Sequence, residues 1–565
     1  MTRKIKEVPV SPFDKDRFIG TVLKITPNYT KVALPFASKP TAKQLHGQYI
    51  GAGEVGELVF FEDSDRTILG RITEVTLEDS DMMKKQTQPE PVQANNLSSI
   101  GIIQLLAQWD FITGEVSRGI SRYPRIGAFV YSAHPKLVQL ISQGEIESGA
   151  PVIDLALIPH SDVSVSVLPE DLFGRHLAIL GSSGGGKSWS VARIVQEIRD
   201  KGGKVILIDP TGEFHATDGG TVHLAVKEVE HKNEELVSFS YKHLTESDLF
   251  AIFQPSLGMQ APALRSAIRH LKLVGLDPNC ADENGIVKIE SKSDLDHIMQ
   301  LEREKFKELI RPGADFNIMN LVEQIQQECY KFDSYGNLKF DDFKYSACYP
   351  MVSRIEGAII SDELAFLFDP SSDASLVDKI DEFLCDDTTN VLRISLKNVS
   401  YERSAREILV NSLGRLLLNR ARKGAFKELP TVIVLDEAHQ FLNKNIGDEE
   451  MSFKLDAFGL IAKEGRKYGL TTVLATQRPR DIPHDVLSQM GSMIVHRLVN
   501  EGDIAVIEKA SGDLDKSILN FLPTLNQGEA IILGTGHPIP LTMHIIQPNE
   551  KPDSKGPDYS KYYKK

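Results

Sequence analysis

Cysteine is scarce in this chain and widely scattered: Cys280, Cys329, Cys348 and Cys385 form no C-x-x-C pair. That spacing argues against a disulfide framework or a structural zinc site, and four buried thiols are expected instead. Long apolar runs are also missing, so no stretch is expected to span a bilayer. The opening Met1-Thr2-Arg3-Lys4-Ile5-Lys6-Glu7 lacks the apolar centre of a signal peptide, which points to the cytoplasm. Basic residues are in deficit, 64 Lys and Arg against 78 Asp and Glu, for a formal net charge of −14. Such a balance argues against wholesale coating by nucleic acid but leaves room for an enclosed basic lining. The 565 residues exceed one ordinary core, so two or three domains are expected.

Glycine, by contrast, is concentrated where it carries chemistry. Gly181-Ser182-Ser183-Gly184-Gly185-Gly186-Lys187-Ser188 matches the phosphate-binding pattern G-x-x-x-x-G-K-[ST] at every fixed position. The apolar run His176–Leu180 reads as a buried strand feeding the loop, and 189–198 has helical spacing after it. In that context the loop's backbone N–H groups face the α- and β-phosphates of ATP, and the helix adds its positive end. Lys187 is the candidate for the β/γ-phosphates and Ser188 for Mg²⁺, a hard cation that prefers oxygen. A second signature follows the apolar strand Thr431–Leu435: Asp436 as a Mg²⁺ partner, through its water shell or Ser188, and Glu437 as the base for the attacking water.

Taken in order, residues 1–165 read as an N-terminal β-barrel for docking or assembly. Strands are expected at 18–25, 56–61, 67–75 and 101–107, with a mobile loop at 78–96. No clear set of aromatics alternates with Lys or Arg along them, which argues against single-stranded nucleic acid on that barrel. An α/β nucleotide core begins at 166–244 and resumes at 388–548, split by a mainly helical insertion at 245–387; 549–565 reads as a mobile tail. The second strand, Lys204–Asp209, delivers Asp209-Pro210-Thr211-Gly212-Glu213-Phe214 to the edge where open α/β sheets keep their chemistry. Glu213 has two readings there: contact with the attacking water or Mg²⁺, or pairing with a basic residue that holds the turn. A helix from about Met451 is expected to end at Lys463-Glu464-Gly465-Arg466-Lys467-Tyr468-Gly469, where Arg466 has a capping role as its plain alternative. The next strand ends in Thr476-Gln477, an amide suited to sensing the γ-phosphate or the attacking water.

With these motifs in place the chain resembles the HerA branch of the HerA/FtsK family of ring-forming DNA-translocating ATPases. The resemblance rests on Phe173-Gly174-Arg175-His176, the phosphate loop, the Asp209–Phe214 turn, the long insertion, Asp436-Glu437-Ala438-His439, the Glu464–Gly469 stretch and Ala475-Thr476-Gln477-Arg478-Pro479. It implies a RecA-like P-loop ATPase core, a homo-hexamer with nucleotide at subunit interfaces, and duplex DNA moving through a central pore. It also implies Arg466 as an arginine finger and Gln477 as a sensor. Relatives of this branch commonly work beside a nuclease or a sirtuin-like or other NAD-consuming effector, and some pairs serve in defence against phage. No nuclease motif stands in this chain, so any cutting is expected from a partner. The Asp-Glu-Ala-His string also occurs in helicases with two RecA-like halves per chain, but only one phosphate loop and one Asp-Glu strand stand here. A membrane-coupled conjugation ATPase is disfavoured by the missing membrane segment. An ATP-gated scaffold that organises an effector is the remaining alternative.

Overall fold

The computed structural model describes residues 3–5, 7–37, 43–45, 48–51, 53–77, 99–147, 149–311, 313, 315–369, 374–442, 445–447, 452–511, 516–553 and 563. The chain folds as two compact units, one of Met1–Gly203 with Thr471–Ser554 and one built on Lys204–Leu470.

In the first unit the N-terminal strands close on themselves. Phe18–Ile25 pairs with Thr30–Ala33, then Ser99–Asp110, Arg66–Leu77, Leu58–Glu62 and Phe129–Ser132, which returns to Phe18–Ile25. This is a six-stranded antiparallel barrel, and closure removes the open edges that would invite aggregation. Apolar side chains from all six strands, among them Ile19, Val32, Phe61, Ile68, Ile103 and Val130, fill its interior. Trp109 and Leu106 instead pack under the helix Pro135–Gln143, which starts with proline at its first turn and a His134 cap. The four expected strands are all present; Thr30–Ala33 and Phe129–Ser132 complete the ring. The loop expected at 78–96 lies outside the described residues.

The barrel ends earlier than residue 165. Ile153–Leu157 and Ser164–Val167 pair with each other, and Ile153–Leu157 pairs with Leu541–Ile545, so this hairpin belongs to the second sheet of the unit. Strand patterning alone does not say which sheet edge a hairpin joins, and here Leu541–Ile545 supplies the backbone partners. From that edge the sheet continues through Glu529–Gly534, Met490–His496, His176–Leu180 and Leu470–Thr476. Its last three strands run parallel, and His176–Leu180 is buried throughout, as a strand covered on both faces must be.

The second unit carries a parallel sheet in the order Thr431–Leu435, Lys204–Asp209, Val391–Ser395, Thr221–Val226, Glu234–Ser238, Ala374–Ser375. The strands at 221–226 and 234–238 are not marked by local pattern, because His223 and the paired Glu234-Glu235 break their apolar runs. Between 245 and 387 the helices Gln260–Leu276, Lys292–Glu304, Leu321–Gln327 and Asp342–Ile360 dominate, with a hairpin of Tyr330–Phe332 and Leu338–Phe340 among them. Capping boxes at Thr245 and Ser291 set two helix starts.

Two expectations are corrected. The helix expected from about Met451 begins at Ala457, because Ser452–Lys454 finds backbone partners in Asn445–Gly447. Of the four thiols, Cys329 and Cys348 are buried, Cys280 is half-buried and Cys385 is exposed at the end of the helix Leu376–Cys385. Among the described residues no helix is long and apolar enough to cross a membrane. Asn549 and Glu550, at the head of the expected tail, are tied to the helix Lys187–Asp200 through Gln196 and Arg199.

Candidate functional site

The phosphate loop leaves the C-terminal end of His176–Leu180 and is fastened by its own backbone. Gly181 N–H donates to Thr476 O (3.3 Å), and the Ser182 N–H and hydroxyl both donate to Arg497 O (3.0 and 2.9 Å). Gly528 N–H donates to Gly185 O at 3.2 Å. Two glycines are required by geometry. Gly186 sits at φ +114°, and a Cβ on Gly181 would come within 2.6 Å of the His496 Cβ. Helix Lys187–Asp200 starts directly after the loop with no acidic residue in its first turn, so its positive end is not neutralised by its own side chains. Lys187, the first residue of that helix, is only 5 % exposed. Glycine backbone, helix end and buried lysine together fit a polyphosphate.

Gln477 stands at the tip of the neighbouring strand, where its Oε1 accepts from the Ser183 hydroxyl. The structure thus joins the expected sensor to the phosphate loop. His496 lies beneath the same loop, although its sequence context marks it only as a strand residue. Its Nδ1 donates to Glu529 O (2.9 Å) and its Nε2 accepts from the Ser190 hydroxyl (2.7 Å), which fixes the neutral tautomer. Burial, with Lys187 adding to it, pushes its pKa down to about 4. No local pattern marks this role for His496; it arises from the pairing of Met490–His496 with His176–Leu180.

The other candidates lie in the second unit. Lys204–Asp209 and Thr431–Leu435 are parallel neighbours, with Ile208 opposite Leu435, so Asp209 and Asp436 leave adjacent strand ends at one edge. The Asp209 carboxylate accepts from Gly212 N–H (2.7 Å), Phe214 N–H (3.1 Å) and Arg393 Nε (2.8 Å), shaping the turn that carries the half-buried Glu213. Arg393, 0 % exposed, also pairs with Glu234 at 2.8 Å. A lone arginine inside the apolar run Val391-Leu392-Arg393-Ile394 is the sequence signal for such a buried partner. Arg406 donates to Pro210 O (3.2 Å) and Lys397 O (2.7 Å), bracing the same turn from behind.

Asp436 and Glu437 are both buried, and Glu437 is held at φ +45°. A non-glycine residue in the left-handed region costs on the order of 1–3 kcal/mol, and such strain clusters at functional sites. His439 Nδ1 lies 3.3 Å from Glu437 Oε2. Arg466 falls beyond the helix Ala457–Glu464, in the short turn Gly465–Tyr468, with its side chain exposed and no ion pair among the described residues. The phosphate loop, Ser188 and Gln477 therefore belong to one unit, and Glu213, Asp436, Glu437 and Arg466 to the other.

Parallel strands that deliver a phosphate loop in one unit and Asp-Glu in the other mark the RecA-like class of P-loop proteins. Residues 156–349 match the family described as helicase HerA, central domain. A probable helicase of Methanocaldococcus jannaschii is 27 % identical over 432 residues, 72 % of each chain. The DNA double-strand break repair helicase HerA of Saccharolobus solfataricus is 28 % identical over 397 residues, 70 % of this chain and 68 % of its own. Among solved structures, the bacterial conjugative coupling protein TrwB is 13 % identical over 75 % of this chain and 94 % of its own, with a TM-score of 0.44. These matches make the chain similar to HerA-type helicases over about 70 % of its length.

Proposed function

We propose that the chain is an ATPase that drives duplex DNA through a homo-hexameric ring. The observation that carries the reading is the phosphate loop, whose glycine backbone, buried Lys187 and uncompensated helix end form a cradle for a polyphosphate. In this reading Lys187 neutralises phosphate charge. Ser188 and, through the water shell or Ser188, Asp436 are the residues that would hold Mg²⁺, which would supply further charge neutralisation. Glu437 is assigned the proton of the attacking water, with His439 beside it, and Gln477 the sensing of the γ-phosphate or that water. Glu213 keeps both of its readings, contact with that water or Mg²⁺, or pairing with a basic residue that holds the turn. Arg466, exposed and without an ion pair among the described residues, is offered to a neighbouring subunit, where a guanidinium stabilises charge developing on the transferred phosphoryl group.

The DNA substrate is argued from the relatives, one of which is named a DNA double-strand break repair helicase. The barrel, closed and without a nucleotide motif, is assigned to docking an effector such as a nuclease or a sirtuin-like NAD-consuming protein in the cytoplasm, in DNA end processing or defence against phage. Measuring ATP hydrolysis with and without duplex DNA, on protein isolated together with whatever co-purifies, tests the reading. A translocase accelerates when duplex DNA is added. Hydrolysis indifferent to DNA, with an effector still bound, returns the ring to the role of an ATP-gated scaffold.

A further inference from the structure

Trp189 follows Ser188 directly and sits half-buried in the first turn of the helix Lys187–Asp200. Only two tryptophans occur in the chain, and the other, Trp109, is buried at the barrel. Position 189 shares a face with 193 and 196, two turns along. The C-terminal segment crosses that face. Asn549 N–H donates to Gln196 Oε1 (2.8 Å), Glu550 reaches toward the helix C-terminus to pair with Arg199 (2.7 Å), and Lys551 turns the other way. Its ammonium lies 5.8 Å from the centre of the Trp189 ring, within the range of a cation–π contact. Pro552 next to it is buried.

These contacts leave the indole in the first turn of the helix, approached over its ring by an exposed lysine. Trp189 is two residues past Lys187, about 3 Å along the helix axis. We infer that a nucleotide whose phosphates occupy the loop carries its ribose and base past this first turn, and that Trp189 is the surface on which the nucleobase stacks, with the 549–553 segment as the outer wall of that subsite. The inference rests on the phosphate-loop reading and adds the base to it. Stacking on an aromatic ring is tolerant of base identity, because every base has a π-face. The subsite therefore takes nucleoside triphosphates as a class and does not by itself separate ATP from GTP.

Binding of ATP and of inorganic tripolyphosphate to the full chain, measured by calorimetry, tests this. Base–aromatic stacking lost on truncation to alanine corresponds to about a five- to hundredfold change in affinity. Trp189→Ala is expected to weaken ATP by that factor while tripolyphosphate binds within about twofold of the parent, which also reports an intact fold. Trp189→Phe is expected to restore most of the ATP affinity. ATP binding unchanged in Trp189→Ala, or ATP and tripolyphosphate weakened by the same factor, overturns the stacking role. Failure of the parent chain to bind either ligand overturns the phosphate-loop reading itself.

Discussion

The loops that leave His176–Leu180 and Lys204–Asp209 occupy equivalent places at the ends of parallel strands, yet different chemistry holds them. The phosphate loop is fastened by neutral groups, backbone amides and the Ser182 hydroxyl, with an uncharged His496 packed against Gly181 and Gly186. The Asp209 turn is fastened by charge, with Arg393 buried between Asp209 and Glu234. A loop that must accept several negative charges gains from scaffolding that adds none of its own, so its positive potential stays available to the ligand. A turn that must present carboxylates needs a fixed cation behind it, or its own acids would repel one another. Binding defects are therefore expected from one region and turnover or stability defects from the other.

The largest effect expected is at Arg466, where Arg466→Ala should lower turnover by about 10³ to 10⁵ with little change in nucleotide affinity. Mixing Arg466→Ala subunits with Lys187→Ala subunits, each inactive alone, should recover part of the activity. No recovery in rings shown to be mixed would end the finger role and leave a helix-end contact worth about 1 kcal/mol or less.

Next comes the split between the two motifs themselves. Lys187→Ala should abolish nucleotide binding, whereas Glu437→Gln should bind and lose about 10² to 10⁴ in rate. Ordinary turnover in Glu437→Gln would move the base to Glu213.

The charged scaffold is broken most directly by Arg393→Met, which leaves Asp209 and Glu234 buried without their cation. A stability loss of about 3–5 kcal/mol is expected, read as a lower urea midpoint. The neutral scaffold has a smaller and pH-dependent signature. His496 takes up a proton near its ordinary 6.5 when unfolded and only near about 4 when folded. The unfolded chain therefore binds more protons across that window, and stability falls as pH drops through it, by about 3 kcal/mol in total. His496→Phe should remove this slope, and a urea midpoint with the same pH dependence in the variant as in the parent would contradict the assignment.

Much of this comparison is legible in the order of residues alone. The phosphate loop, its strand and helix, and the Asp436-Glu437 strand are local patterns whose periodicity and glycine spacing lie within a few turns of chain. The helix start at 457 is not, because Ser452–Lys454 is decided by pairing with Asn445–Gly447. The barrel is partly legible: its strands alternate, but the departure of 153–167 into another sheet depends on Leu541–Ile545. His496 is invisible at that level because its partners, Ser190 and Glu529, come from elsewhere in the chain. Arg393 is half visible, a charge in an apolar strand that announces a buried counter-charge without saying which.

The strand that feeds the phosphate loop has its two neighbours, Leu470–Thr476 and Met490–His496, far downstream in the chain. During synthesis His176–Leu180 therefore emerges long before either partner exists. At about 5–20 residues per second the wait is tens of seconds. Throughout that interval an apolar strand with two unpaired edges is exposed, the kind of segment that seeds aggregation or recruits a chaperone. The nucleotide-binding half of the protein is then among the last parts to mature, so a chain cut short after the insertion would carry the complete phosphate-loop sequence without the sheet that shapes it.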